Sequence, residues 1–569
     1  MFLRNEEKMK ILLNEYPTDL EKNQFVAIDT EIFQLDPHTL HRPTSGKFGC
    51  MTVATDPDTV YIIDDPANVP VMLSKLKDCI WVFHNAKFDL THLRRWANIE
   101  PRSRLWCTLL MDRILWGGYY DRFSLKDLAR RYLNIELEKD IREDFEDAFE
   151  LDKEMIEYAA LDASVTLQVC FAQQSHLNRT SFDIWKKIDR PTTWAVLDFM
   201  GFRMNVERWE EMAEENKAKA DEIEEGLDFN PRSYPQVKTA LREAGFKGLP
   251  STGEGVLMQY MAKYPGTKAH ELARDVLACR KFSRKASTYG KKFIERHVET
   301  ERETNTVFGD YRIIGAETGR MSCGSPNLQN IPVRETPEFR KCFIARPGNS
   351  IIVADYSAQE PRISAYLSQD KRMIEILNSG KDIYIEVAYI IFGEEITKED
   401  PRRAVMKSLI LGTNYGMSPE GLAERENISL KESESLTNKY MHEFPGFASW
   451  VHIQLRKKKF VTTVAGRTIW LNPYSDQVAR NALNAPVQGS AADMTKAALS
   501  AIHKNWKFDY PFACVGAIHD ELVFDVPEGI AEEVAEFVKY HMIAEAEKMC
   551  PGIKFKADTK IGDSWAVKE

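Results

Sequence analysis

The chain has 569 residues, enough for more than one hydrophobic core, and its 43% hydrophobic content with 29 Gly and 25 Pro is that of a globular protein, not a collagenous or low-complexity one. No apolar stretch in the raw sequence approaches the roughly 20 residues of a membrane span, residues 1–8 lack the basic-then-apolar form of a signal peptide, and nine cysteines without C-x-x-C spacing indicate neither a zinc site nor a disulfide framework. A reducing cytoplasmic setting is the expectation, and the net charge of −10, taken as one number, argues against a nucleic-acid partner.

The distribution of that charge argues the other way. Residues 134–157 hold eleven acids against three bases and residues 207–228 hold ten against three, so the rest of the chain is net positive. Solvated helix faces account for the acidic stretches. The stretch with Arg280, Lys281, Arg284, Lys285, Lys291, Lys292 and Arg296 carries one acid, Glu295, and points to phosphate contact.

Residues 1–180 have the pattern of an α/β domain. Residues 25–31 form a strand whose acids, Asp29 and Glu31, are two apart and share a face. Residues 50–55 and 60–63 are further strands around a turn at 56–58. Residues 81–89 run from a strand into a helix that carries a third acid, Asp89. A later helix sets Tyr158 and Asp162 four apart on one face. Asp-x-Glu, then Asn-x-x-Phe-Asp at 85–89, then Tyr-x-x-x-Asp resembles the proofreading 3′→5′ exonuclease domain of the DnaQ-like superfamily. The resemblance implies that Asp29, Glu31, Asp89 and Asp162 hold two metal ions and that Tyr158 orients the attacking water. Phosphodiester hydrolysis independently needs an activated water and neutralised leaving-group charge, which paired metals supply.

From about 190 to 310 the pattern is helical and charged, with loop-like breaks at 230–235 and 248–255. Residues 318–332 are a polar loop with Arg320, Asn327 and Gln329, groups suited to base edges and phosphates. Residues 351–354 are a short β-branched strand that ends on Asp355. A second carboxylate, Asp520, sits with His519 and Glu521 at the tip between two apolar strands, 512–518 and 522–527. If that hairpin pairs beside the first strand, Asp355 and Asp520 converge, and two close carboxylates call for a hard cation between them. Asp400-Pro401 starts a helix on which Arg403, Lys407 and Leu411, followed by Tyr415, form a slowly turning stripe matched to a triphosphate at one end and a sugar and base at the other. Arg480, Asn484 and Gln488 form a second stripe.

These segments resemble the T-G-R, D-Y-S, R-x-x-x-K and Q-G-(T/S)-A-A-D stretches of family A DNA polymerases. The resemblance implies a right-hand polymerase: thumb at about 190–310, palm at about 311–370 and 475–569, fingers at about 371–474, behind an RNase H-like exonuclease domain at 1–180. The fold class expected is α/β and α+β, multidomain. It further implies that Asp355, Asp520 and the Tyr356 carbonyl hold two Mg²⁺, with Mn²⁺ as an alternative. Gln359, Glu360, Tyr384, Arg403, Lys407, Leu411 and Tyr415 are then expected at the dNTP, with Lys407 protonating the pyrophosphate. Arg320, Asn327, Gln329, Arg480, Asn484, Gln488, His519 and Glu521 are expected on primer–template DNA, in a monomer.

The departures concern the nucleotide pocket. The usual D-Y-S-Q-I-E-L-R reads Asp-Tyr-Ser-Ala358-Gln359-Glu360-Pro361-Arg362, which retains Glu360 against a ribose 2′-hydroxyl. Leu411 has no hydroxyl to replace a missing 3′-OH, and Tyr384 stands where a phosphate-binding His is common. The compact form, with no chain left for a 5′-nuclease, looks like phage replicative members, which would act in the host cytoplasm. A repair polymerase of a cellular host, a single-subunit RNA polymerase, a binding protein with a degenerate site and an exonuclease on a weakened polymerase scaffold stand as alternatives.

Overall fold

The computed structural model describes residues 9–568 apart from 37, 38, 40, 41, 43, 138–144, 146, 147, 300–303 and 333–337. Much of the first acidic stretch therefore lies outside the described residues.

The N-terminal part is built on a six-stranded sheet in the order β1-β4-β3-β2-β5-β6, with β1 Lys10–Leu13, β2 Phe25–Phe33, β3 Lys47–Asp56, β4 Thr59–Ile63, β5 Ile80–Phe83 and β6 Leu105–Cys107. β2 pairs antiparallel with β3 and parallel with β5, so it sits centrally and is covered on both faces. Helices α1 (Ala86–Leu93), α2 (Thr108–Trp116) and α3 (Lys153–Gln174) pack on this sheet. By length and composition α3 could cross a membrane, which departs from the expectation that no stretch could. Its apolar window is 56% buried, because it is a core helix of this domain.

The arm expected to be helical between 190 and 310 is helical in its middle, where α4 (Val206–Glu225) packs along α5 (Lys268–Thr288). After a first helix at Arg190–Leu197, short strands flank that middle. Phe202–Met204 pairs with Thr306–Val307 and with Phe343–Ile344, too short a set of apolar alternations to register in the sequence. The basic stretch is also divided. Arg280 donates to the carbonyls of Pro231 and Thr252 and Lys285 is buried, so these two hold the arm together. Lys281, Arg284, Lys291, Lys292 and Arg296 face solvent.

After the hairpin β7 (Asp310–Arg312) and β8 (Ser322–Gly324), the chain enters β9 (Asn349–Tyr356) and α6 (Gln359–Ser368). Helices α7 (Ile383–Phe392), α8 (Pro401–Asn414) and α9 (Pro445–Leu455) follow, then the hairpin β10 (Phe460–Thr462) and β11 (Thr468–Trp470). The 27-residue α10 (Val478–Lys504) leads to β12 (Cys514–Ile518), β13 (Glu521–Pro527), α11 (Ala531–Met549) and β14 (Ala557–Gly562). The four strands form an antiparallel sheet in the order β12-β13-β9-β14.

Buried charge ties the start of the C-terminal part to its later elements. Arg467, in the turn between β10 and β11, reaches Asp189 at 2.8 Å and Asp493 of α10 at 2.6 Å, while Lys496 also bonds Asp189 at 2.5 Å. All four side chains are almost wholly buried. Burial alone pushes the Asp189 carboxyl up, yet Arg467 and Lys496 overcome it and hold the group below its ordinary range. Removing one member strands a charge away from water. Arg467→Met is accordingly expected to lower stability by about 3–5 kcal/mol in urea unfolding, and a change under about 1 kcal/mol would contradict a cooperative network.

Candidate active sites

The first candidate site is set by the turn at the start of α1. Asn85 adopts a left-handed conformation, φ 70°, and reverses the chain so that Asp89 points back under β2. Thr30, between the two acids on β2, donates its backbone N–H (3.0 Å) and its hydroxyl (2.8 Å) to Asp89 Oδ1. Asp89 is 1% exposed and its Oδ2 has no hydrogen-bond partner among the described residues. Burial, then the nearby Asp29 charge, hold the Asp89 carboxyl well above the usual carboxylate range. An orphaned buried carboxylate oxygen facing other acids fits a divalent cation. Asp29, Glu31, Asp89, Tyr158 and Asp162 all line one cleft of about 850 Å³. β7 of the C-terminal part, residues 310–312, forms another wall of it, and Lys87 forms an ion pair with Asp310 across the junction. Thr30 and this shared wall were not anticipated from the sequence. The threonine lies inside the Asp-x-Glu motif, whereas nothing in residues 310–312 marks them.

The second candidate site lies at the end of the C-terminal sheet. β9 pairs with β13 so that Asp355 sits opposite Glu521, and Asp520 occupies the turn just before it. His519, φ 58°, completes that turn, and burial followed by the Arg320 charge lowers its pKa, so the ring is neutral at neutral pH. Ala358, φ 53°, turns the chain from β9 into α6, whose first turn carries Glu360. Glu360 accepts from the Tyr415 hydroxyl at 2.8 Å and from Arg320 at 3.0 Å. Burial and Glu360 itself raise the Tyr415 pKa, which keeps the phenol a donor. Three segments far apart in sequence thus meet on one carboxylate.

Along α8, Asp400 caps the first turn and Pro401 follows, as the sequence indicates. Arg403 is held by Asp382 at 2.6 Å, and Lys407 is exposed, 6.0 Å from the centre of the Tyr384 ring. Tyr384 is buried, its pKa pushed up to about 12 by burial and then by Asp382. Leu411 and Tyr415 continue the stripe, and Gly416, φ 66°, ends it against Arg480 of α10. Arg480 is exposed, with Asn484 and Gln488 half-buried, and Gln488 bonds the Tyr415 side chain.

Three of the residues expected at DNA or nucleotide have protein partners in this structure. Gln359 is buried and donates to the Ala491 carbonyl of α10 at 3.4 Å, because the residue after Ala358 faces the helix layer and Glu360 the cavity. Gln329 donates to the carbonyls of Met321 and Ala517, pinning its loop beside β12. Glu521 is buried, accepting from Trp565 at 2.7 Å with Arg340 at 3.4 Å, and so anchors the β12–β13 hairpin from below. Asn327 is exposed, its side-chain oxygen capping the short turn at Gln329.

The family model "DNA polymerase family A" matches residues 202–567, and the model "3'-5' exonuclease" matches residues 7–177. The chain belongs to DNA polymerase family A. Domains of these two families are generally divalent-metal dependent. Relatives include a DNA polymerase I of Aquifex aeolicus, 26% identical over 99% of both chains, and one of Chloroflexus aurantiacus, 28% identical over 95% of this chain. The chain spans only 61% of the Chloroflexus relative's length. Among solved structures, the POL domain of Pol1 from M. smegmatis, in complex with DNA primer-template and dNTP, superposes with a TM-score of 0.81 at 25% identity, covering 96% of each chain.

The exonuclease-type site of this family A chain generates a stability prediction. A carboxyl whose folded pKa lies above its unfolded value binds its proton more tightly in the folded state, so it costs stability as pH rises past the unfolded value near about 3.9. Asp89→Asn is expected to stabilise the protein against unfolding in EDTA at neutral pH, by about 1–2 kcal/mol. Adding Mg²⁺ should raise the wild type's midpoint more than the variant's; equal responses would remove Asp89 from the metal-holding set.

Proposed function

We propose that this chain is a template-directed DNA polymerase that adds dNTPs to a primer 3′ end and proofreads with its own 3′→5′ exonuclease, in replication or repair. The observations that carry this reading are the meeting of Arg320 and Tyr415 on Glu360, the strand pairing that sets Asp355 next to the turn holding Asp520, and a second acid set in a separate cleft. The acids fit paired divalent cations. Asp355, Asp520 and the Tyr356 carbonyl would hold Mg²⁺, or Mn²⁺ in its place, in one site, and Asp29, Glu31, Asp89 and Asp162 in the other. Bound there, the ions supply Lewis-acid polarisation of the attacking oxygen and neutralise charge on the phosphate and leaving group.

The chain's own groups do the rest. Arg403 exchanges the Asp382 carboxylate for the incoming triphosphate, a swap between two oxyanions that costs little because neither state leaves the guanidinium unpaired. Lys407 lies one turn further along the same face and delivers a proton to the departing pyrophosphate oxygen. Glu360, fixed from two sides, occupies the space a ribose 2′-hydroxyl would need. Tyr384, buried under Arg403 and Lys407, supports both cations with its ring face. In the other cleft Tyr158 orients the hydrolytic water.

Arg320, Asn327, Arg480, Asn484, Gln488 and His519 contact primer–template, within domains at 1–180 and 181–569. Glu521 and Gln329 act behind them, holding the hairpin and loop from which His519 and Arg320 project. We place the protein in the cytoplasm as a monomer. A phage-type origin rests on Ala358-Gln359-Glu360-Pro361, while the relatives named DNA polymerase I are bacterial and favour a cellular repair role equally.

Asp355→Ala is expected to abolish extension of a labelled primer with dNTPs and Mg²⁺ while 3′ shortening without nucleotide persists. Asp29→Ala with Glu31→Ala should do the reverse; loss of both activities in either protein would break the two-site reading. Tyr415→Phe removes one of the two donors to Glu360. Ribonucleotide incorporation should then rise, by roughly tenfold for about 1.4 kcal/mol of lost positioning. Unchanged discrimination would show that Arg320 alone holds the gate.

A further inference from the structure

From 445 to 475 the chain contains no Asp or Glu but five cations, in a protein whose net charge is −10. Arg467 is used in the buried network. The other four are consecutive, Arg456, Lys457, Lys458 and Lys459, in the link between α9 and β10. Three of them are exposed and Lys457 is half-buried, and none makes an ion pair among the described residues. Other exposed cations of the polymerase part do have carboxylate partners, such as Arg372 with Glu443 and Lys548 with Glu545. A run of four like charges without a counter-ion raises local repulsion, which an extended polyanion would relieve.

The run ends in aromatic surface. Phe460 follows it directly and is 45% exposed, its ring 5.7 Å from that of Trp470, which in turn lies 5.6 Å from Tyr119, 58% exposed, on the exonuclease-type domain. Tyr474 is 94% exposed. Cations interleaved with exposed ring faces suit unpaired nucleotides, whose bases can stack, better than a duplex, whose bases are already stacked.

Position supplies the strand. The Leu471 N–H donates to the Lys459 carbonyl at 2.9 Å, so the basic run lies against the segment that enters α10. On α10, Gln488 bonds Tyr415 at the nucleotide pocket, and Asn484 and Arg480 lead away from it toward the helix start. Eight residues of helix cover about 12 Å. On the polymerase reading the primer ends at the pocket, so a single strand that continues past it is the template not yet copied.

We propose that Arg456, Lys457, Lys458 and Lys459, with Phe460 and Tyr474, bind the unpaired template strand ahead of the nucleotide pocket. This rests on the polymerase reading and extends it, by giving the enzyme a grip on single-stranded DNA outside the catalytic cavity. The run carries the phosphates, and the rings limit the strand's freedom between fingers and exonuclease-type domain.

The test uses the full chain, in EDTA, with two primer–templates of identical duplex, one with a template overhang of about two nucleotides and one of about twelve. The wild type should bind the long overhang more tightly. The triple variant Lys457→Gln, Lys458→Gln, Lys459→Gln should lose about 10- to 100-fold on the long substrate only, with the salt dependence of log Kd falling by about two. Tyr474→Ala, at a side chain that is almost wholly exposed, should lose part of the same advantage. Extension of the short-overhang substrate with Mg²⁺ and dNTPs monitors folding and the polymerase reading separately. Equal weakening on both substrates would assign the run to duplex DNA and overturn the proposal, as would identical binding by wild type and triple variant. Failure of the wild type to extend either substrate would instead refute the polymerase reading, and the proposal with it.

Discussion

The pairing of β9 with β13 is the constraint on which the polymerase-type site depends. Register puts Asp355 opposite Glu521 and leaves Asp520 in the turn before it. A slip of one residue would send Asp355 to the other face of the sheet and Ala354 or Tyr356 toward the cavity. The register is enforced by burial: Ile351, Ile352, Val353 and Ala354 are inaccessible on β9, as are Leu522, Val523 and Phe524 on β13. Glu521 then locks the end, since its carboxylate is met by Trp565 from the C-terminal turn and by Arg340 from below. The two carboxylates that can face a cation are held in place by a third that faces protein.

The two candidate sites share walls as well as a chain. β7 borders the exonuclease-type cleft and is tied to it by Lys87 and Asp310. Its partner β8 begins two residues after Arg320, which bonds Glu360 in the other site. A short covalent and hydrogen-bonded route between the sites is thus one small hairpin. Packing makes such an element transmit displacement, because close-packed neighbours leave no slack to absorb it. The buried Asp189, Arg467, Asp493 and Lys496 cluster acts in the same sense from behind, and Gly319, next to Arg320, rests directly on the Arg467 side chain. A Cβ at Gly319 would come within 2.9 Å of that side chain, at a backbone φ of 85°.

Much of this was legible in the sequence, for reasons that can be named. Strands β2, β5, β9 and the β12–β13 hairpin are apolar, largely β-branched runs bounded by polar turns, and the start of α8 carries both an Asp cap and a Pro in its first turn. The acids stood out because each interrupts an apolar pattern. What escaped was the direction of single side chains after an irregular turn. Gln359 and Glu360 are neighbours, and only the left-handed Ala358 decides which of them faces the cavity. Arg280 and Arg284 read alike in a helix, yet one is taken by the carbonyls of Thr252 and Pro231, 28 and 49 residues away. The Asp189, Arg467, Asp493 and Lys496 cluster joins residues as far as 307 apart and leaves no local trace at all.

Glu360 shows how these levels combine. A part-buried carboxylate is held in position by its donors, and the donors here come from the T-G-R loop and from the end of α8. Tyr415 also bonds Gln488, and Arg480 on the same helix packs against Gly416, the residue that ends the α8 stripe. Any movement of α8 relative to α10 must therefore strain the grip on Glu360, and any loss of that grip frees Arg320. The position of Glu360, the alignment of α8 and the placement of the loop that carries Arg320 are not separate properties of this fold. They are set by one carboxylate and its two donors.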